Sequence, residues 1–317
     1  MKKSSLFLLL TSIIFLIAFD LLGDKMLSFN LANIGFLIIN FRLPRLLIIL
    51  LAGIAISISG LLVQTVSRNS LADSGMLGLT SGASFGVVLL LLISENLKIP
   101  SWISLSYPLA GICGACLAYA ILRLVRKSSR ESSVSLILSG LAITAIFQSL
   151  ITIIQLSVNS YDFQKLAVWL TGDVWLTDYK YISLLALALF FALLFLPFIF
   201  NELDVLSLGV ELSKGLGLDV KKANNRIFIL ILIFTSIGVA AVGSLGFVGL
   251  IAPHIASRLG NFKAKNRLLA TSLVGMIIML MSDIIAKNII APSTLPLGFV
   301  VALVGAPYFI FLIHKEV

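Results

Sequence analysis

The chain has 317 residues, of which 59% are hydrophobic and only 12% charged, far below the roughly 25% charge of a soluble domain. That composition argues against a soluble enzyme or binding module and for an all-α, polytopic membrane protein, one transmembrane domain over residues 1–317. The balance of +9, from 23 basic and 14 acidic residues, fits basic loops on one membrane face better than nucleic-acid binding.

Two lysines precede an apolar run over residues 6–22, as in a signal peptide. No small-residue cleavage site follows, so the run reads as an uncleaved first helix starting in the cytoplasm. Residues 23–41 are then an external connection. Apolar spans follow at about 43–66, 75–94, 106–125, 134–157 and 181–200. In the span near 106–125, Cys113 and Cys116 form a CxxC. With Gly111, Gly114 and Ala115 beside them, helix packing through small residues is the better reading than redox or metal chemistry. In the next span Gly140, Thr144, Gln148, Thr152 and Gln155 fall on one helical face. Such a stripe either glues helices or lines a wet path, and it suits bulky amphiphilic cargo better than a bare ion.

Residues 201–226 form the longest connection read as cytoplasmic. Val205, Leu208, Leu212 and Leu216 recur near helical spacing, and Gly209, Gly215 and Gly217 cut the segment into short pieces. An apolar stripe on a short loop helix calls for a partner groove or for its own bundle.

Residues 227–260 carry no charge until Arg258. As one helix they would be about 51 Å long, against a bilayer core of about 30 Å. Gly243 and Gly246 bracket a place to turn back, giving two helices near 227–241 and 247–259. The flanking clusters, Lys221, Lys222 and Arg226 before and Arg258, Lys263, Lys265 and Arg267 after, then lie on one side, as the positive-inside rule prefers. Non-helical backbone at that depth is tolerated only inside protein or against a cavity. Spans at about 268–287 and 296–313 complete roughly ten crossings with both ends cytoplasmic.

Three cations break the charge rule. Arg42, Arg45 and Lys287 sit at external helix ends, where they either snorkel to lipid phosphates or meet an acidic partner. Asp283 is the main intramembrane carboxylate; ion coupling is one reading, and a hydrogen-bonded acid near the outer helix end is favoured. Only two histidines occur, and no GxxxxGK[ST] motif, so any ATP is hydrolysed by another polypeptide and the chain itself binds no cofactor and performs no bond chemistry.

Taken in order, these residues resemble the FecCD family, permease subunits of ABC importers for ferric siderophores, haem and cobalamin. The resemblance runs from about Arg42 to the C-terminus. It rests on Arg42-Leu-Pro-Arg45; Ser59-Gly60 with Gln64; Arg68-Asn69-Ser-Leu-Ala-Asp73; Leu77-Gly78; and Ser81-Gly82-Ala83. Beyond these come Leu206-Ser-Leu-Gly209 with Leu216-Gly217, Gly246-Phe-Val-Gly-Leu-Ile-Ala-Pro-His254 with Arg258, and Pro296-Leu-Gly298 with Gly305-Ala-Pro307. Departures are Ser70 and Ser74 where the family has proline, Thr294 for a glutamate, and Lys287 for a frequent arginine.

The resemblance implies a type II importer fold of ten helices in the bacterial cytoplasmic membrane. It implies a second permease, identical or paralogous, two ATPase subunits, an extracellular substrate-binding protein and surrounding lipid as partners. Arg42, Arg45 and Lys287 match positions that dock the binding protein. Val205, Leu208, Gly209, Leu212, Leu216 and Gly217 match the ATPase coupling loop. Ser132, Ser133 and Val134 match an inner gate, and cargo is expected to pass between paired helices bearing the Gly140–Gln155 stripe. The likeliest cargo on this resemblance is a ferric siderophore, with haem or cobalamin next. An ion-driven secondary transporter would need midplane charges and internal repeats, and an integral-membrane enzyme would need clustered His, Asp or Glu; neither pattern is present in the sequence.

Overall fold

The computed structural model describes residues 3–22, 35–96, 106–127, 133–174, 178–260, 263–290 and 293–316. Among these, regular structure is entirely helical. The helices are α1 (Lys3–Leu22), α2 (Leu43–Ser67), α3 (Leu79–Asn96), α4 (Tyr107–Lys127), α5 (Ser133–Ser157), α6 (Ser160–Leu170) and α7 (Tyr179–Phe195). After them come α8 (Phe200–Leu206), α9 (Val210–Gly215), α10 (Val220–Val242), α11 (Val248–Arg258), α12 (Ala264–Asn288) and α13 (Leu297–Glu316). Six described helices are long and apolar enough to cross a membrane and three shorter ones are apolar; with the half-length α11 this gives the ten expected.

The end of the bundle bearing Arg42 and Arg45 is called upper below. Helix α2 is the mast, its side chains buried over most of its length. It packs on α10, α11 and α12, which meet it on different sides. Between membrane helices, close packing rather than the hydrophobic effect holds the contact. Glycines bring the backbones together: a Cβ on Gly60 of α2 would run into the Gly249 carbonyl of α11, and one on Gly53 would stand 3.0 Å from the Gly275 carbonyl of α12. Helices α3 and α4 interlock in the same way, Gly82 against Gly114. Cys113 and Cys116 stay exposed as free thiols, so the small residues, and not the thiols, make that contact.

The stretch after Arg226 is split as its length demands. Helix α10 ends at Val242, Gly243 takes φ 75°, and Phe247 at φ 67° opens α11. A left-handed backbone costs a bulky residue about 1–2 kcal/mol. Phe247 is held there by its ring, which packs on Gly305 and lies 6.4 Å from Phe309 of α13. The turn is sheltered by protein: Gly243 abuts the Trp169 carbonyl, and Leu245 abuts Gly172 and Gly298. Helix α11 does not lie against α10; it crosses α2 and α12 instead.

Several boundaries differ from the sequence expectation. Residues 35–41, assigned to a connection, are helical and run through a π-turn at Ile38–Arg42 into α2. The apolar stretch supports the helix beyond the membrane-length minimum. The span drawn from residue 75 begins at Leu79, because a short 3-10 turn, Gly75–Leu77, precedes it. Helix α6 lies in the connection between the spans drawn at 134–157 and 181–200.

Candidate functional site

At the upper end five charged residues from four parts of the chain converge. Arg45 Nε donates to Asp283 Oδ1 at 2.9 Å, and its Nη2 lies 3.5 Å from Asp173 Oδ1. Lys287 Nζ, one turn beyond Asp283 on α12, contacts Asp283 Oδ2 at 2.5 Å and Asp20 Oδ1 of α1 at 2.8 Å. Asp283 is 1% exposed and Asp20 8%. Burying charge demands such pairing. Asp283 is therefore a paired acid near a helix end, its partners being Arg45 of α2 and Lys287 one turn along its own helix. Arg42 donates from Nη1 to the Leu21 carbonyl at 2.8 Å.

Arg45 and Lys287 are thus not free external cations; the side chain of each is 17% exposed. Asp20 and Asp173 were not singled out by sequence, since nothing local marks them. Burial raises the Asp173 carboxyl above its ordinary value, and the nearby Arg45 guanidinium opposes that rise.

At the lower end, residues 200–219 fold into two short helices with two faces. Leu203 and Leu206 of α8 are buried. Ser213 of α9 donates to the Val205 and Gly209 carbonyls, tying the two helices together. Leu208, Leu212 and Leu216 point away, 54%, 62% and 65% exposed. Val205 is half-buried, while Gly209 (φ 98°) and Gly217 (φ 82°) provide turns open to glycine. Residues 220–226, expected to belong to the loop, are the first turns of α10, capped by Asp219. Hydrogen bonds from Lys222 hold the Asp219 carboxyl below its usual value.

Two acids that the sequence reading missed anchor this segment. Asp204 Oδ1 accepts the Ala264 N–H at 2.7 Å, capping α12, and Glu202 pairs with Arg226 of α10 at 2.7 Å. Arg267, a turn into α12, donates to Thr65 Oγ1 of α2 at 2.8 Å.

The polar stripe of α5 divides. Gly140 packs against Met76 and Leu77, and Thr144 Oγ1 bonds the Gly75 carbonyl at 3.0 Å, so these two serve helix packing. Gln148 and Thr152 lie exposed and Gln155 half-buried. Ser132 lies outside the described residues; Ser133 and Val134 begin α5, and their side chains are not described.

Several motifs separated in sequence meet in space. Gly249 is wedged between Gly60 and the Asp73 carboxylate, Phe247 against Gly305, and Gly298 donates its N–H to the Gly172 carbonyl at 2.9 Å. The motifs are the packing surfaces of the broken helix. The model of the FecCD transport family matches residues 5–315. The chain belongs to the FecCD transport family. Among its relatives, it is 34% identical to the iron(3+)-hydroxamate import system permease protein FhuG of Bacillus subtilis, covering 87% of this chain and 82% of that one. It is 36% identical to the Fe(3+)-citrate import system permease protein YfmE of the same organism, over 89% and 83%. The vitamin B12 import system permease protein BtuC of Salmonella typhi is 33% identical over 87% and 82%. A solved structure described as an inward-facing conformation of a metal-chelate type ABC transporter superposes with TM-score 0.84 at 25% identity, covering 98% of this chain and 99% of that one. The chain is a multi-pass membrane protein of a transport family.

Proposed function

We propose that this chain is the permease subunit of an ATP-driven importer for ferric siderophores, paired with a second permease and served by two ATPase subunits and an extracellular binding protein. The observation that carries the reading is the two-faced α8–α9 segment: Leu203 and Leu206 fasten it to the bundle while Leu208, Leu212 and Leu216 stand exposed together. An apolar ridge at the aqueous end of a membrane bundle fits a groove on a soluble partner. Movement of an ATPase pair would reach α12 through Asp204 and α10 through Glu202. The exposed Gln148 and Thr152 face of α5, doubled across two permeases, supplies the polar lining for cargo, with Ser132, Ser133 and Val134 at its inner mouth. Arg42 and Arg45 receive the binding protein, and Lys287 stands behind them.

Changing both Leu208 and Leu212 to Ala tests the coupling surface. Each buried leucine truncated in a packed core costs roughly 2–5 kcal/mol, and a small interface somewhat less. The expected result is loss of ATPase co-purification and of uptake, with the permease itself still folded. Unchanged co-purification and uptake would place coupling elsewhere. A cobalamin or haem cargo is the second reading, favoured by the 33% identity to a vitamin B12 import permease. Uptake of labelled ferric hydroxamate, ferric citrate, haem and cobalamin by the reconstituted transporter decides between them.

A further inference from the structure

We propose that Asp173 fills, in the free permease, the place on Arg45 that a carboxylate of the docking protein takes over, so that docking releases the chain end of α6. The inference rests on the docking reading above and adds to it an internal competitor.

Arg45 holds its two carboxylates unequally. The Asp283 contact is 2.9 Å, from a carboxylate 1% exposed and clamped on its other oxygen by Lys287. The Asp173 contact is 3.5 Å, from a side chain 23% exposed, beyond the 2.7–3.2 Å of a good N–H···O bond. Asp173 Oδ1 also accepts its neighbour's N–H, Val174, at 2.8 Å. Arg45 Nη2 is buried and has no partner in hydrogen-bonding geometry among the described residues. A guanidinium fork is built for two parallel bonds to one carboxylate, and here one prong is poorly met.

Charge points the same way. Asp20, Asp173 and Asp283 face Arg45 and Lys287, which leaves one carboxylate in excess. Withdrawing Asp173 leaves two acids against two cations, so it is the member the cluster can release. An acidic side chain on a docking protein restores the contact from outside, and this partner chemistry is the occupant the cation fits.

Release has a structural consequence. Asp173 directly follows Gly172, whose carbonyl takes the Gly298 N–H at the start of α13. Gly243, at the turn of the broken helix, rests on the Trp169 carbonyl at the end of α6. The Arg45–Asp173 contact therefore fastens to α2 a strap that lies over the turn between α10 and α11. Docking would unfasten it.

The test uses the whole transporter with its ATPase subunits in lipid nanodiscs and the purified binding protein, at low salt. Asp173→Asn keeps the size and the acceptor for Val174 but removes the competing charge. The expected result is docking roughly two- to fivefold tighter, the range of a partly exposed ion pair. Unchanged or weaker docking by Asp173→Asn, while Arg45→Glu abolishes docking, overturns the exchange and leaves the docking reading standing. If Arg45→Glu also docks normally, the docking reading fails and the exchange with it. A second measurement does not depend on affinity: spin labels at the exposed Thr171 and Ser293, in a background lacking Cys113 and Cys116. Docking should change their separation in the otherwise native chain, and Asp173→Asn should show the docked separation before docking. An identical separation in all states overturns the proposal.

Discussion

Lys287 bridges Asp283 and Asp20, joining α12 to α1 inside a charge cluster that is shielded from water on most sides. Removing one member of a buried pair leaves an uncompensated charge and typically costs about 3–5 kcal/mol, whereas removing both costs much less. Lys287→Met should accordingly lower thermal stability in detergent sharply, and adding Asp20→Asn should recover a large part of the loss. If Lys287→Met is as stable as the native chain, the lysine is a surface group and its pairing is incidental. The sequence marks Lys287, Arg42 and Arg45 as cations on the wrong side for a basic-loop rule. It does not mark their partners, because Arg45 and Asp283 are 238 positions apart and Asp20 and Asp173 look like ordinary polar residues at helix ends. Residue types are legible in a sequence; the pairing of distant ends is a property of the packed bundle.

Among elements, the split between α10 and α11 was readable because length and charge both forbid a single crossing, and the turn falls at the glycines that suggested it. Helix α6 was not readable. It is 11 residues long, too short for a span signal, and it sits in a connection whose charges nearly cancel. The segment proposed for coupling was half readable: its exposed leucines show a stripe, but its anchors are acids that act through backbone and arginine contacts far along the chain. Asp204 is the more telling anchor, since it caps α12 from α8 across 60 positions. Losing a cap of this kind costs about 0.5–2 kcal/mol. Asp204→Ala should leave the ATPase bound, since Leu208 and Leu212 are untouched, yet lower cargo moved per ATP hydrolysed. Equal coupling ratios in native and variant transporters would mean that α8 moves α12 by packing alone.

Over the whole molecule, α2 and α12 are fastened at both ends, by Arg45 with Asp283 above and by Thr65 with Arg267 below, with Gly53 against Gly275 between them. A pair pinned in this way spans the bundle as one fastened unit, which suits the proposed link between docking at the upper end and coupling at the lower. Exposed apolar side chains lie on α1, α4, α5, α7 and α13, where Phe15, Leu124, Leu156, Phe190 and Leu303 are 68%, 71%, 76%, 56% and 59% exposed, as a lipid boundary requires. The proposed orientation, with the lower end in the cytoplasm, rests on charge. Among the described residues, the lower end carries Arg68, Arg123, Lys214, Lys221, Lys222, Arg226, Arg258, Lys263, Lys265 and Arg267, while the upper end carries Arg42, Arg45, Lys165, Lys180 and Lys287. Of the upper cations, Arg45 and Lys287 are neutralised by internal carboxylates, which sharpens the asymmetry that favours this orientation. The broken helix gives a direct check, because α10 starts and α11 ends on the same lower side. Single cysteines at Lys221 and Lys265, in a chain with Cys113 and Cys116 changed to serine, should both resist a membrane-impermeant thiol reagent in intact cells. A cysteine at Ser293 should react. Labelling at Lys221 but not Lys265 would mean that the stretch between them crosses once, and labelling at both with Ser293 protected would invert the molecule, placing the leucine ridge outside where no ATPase can reach it.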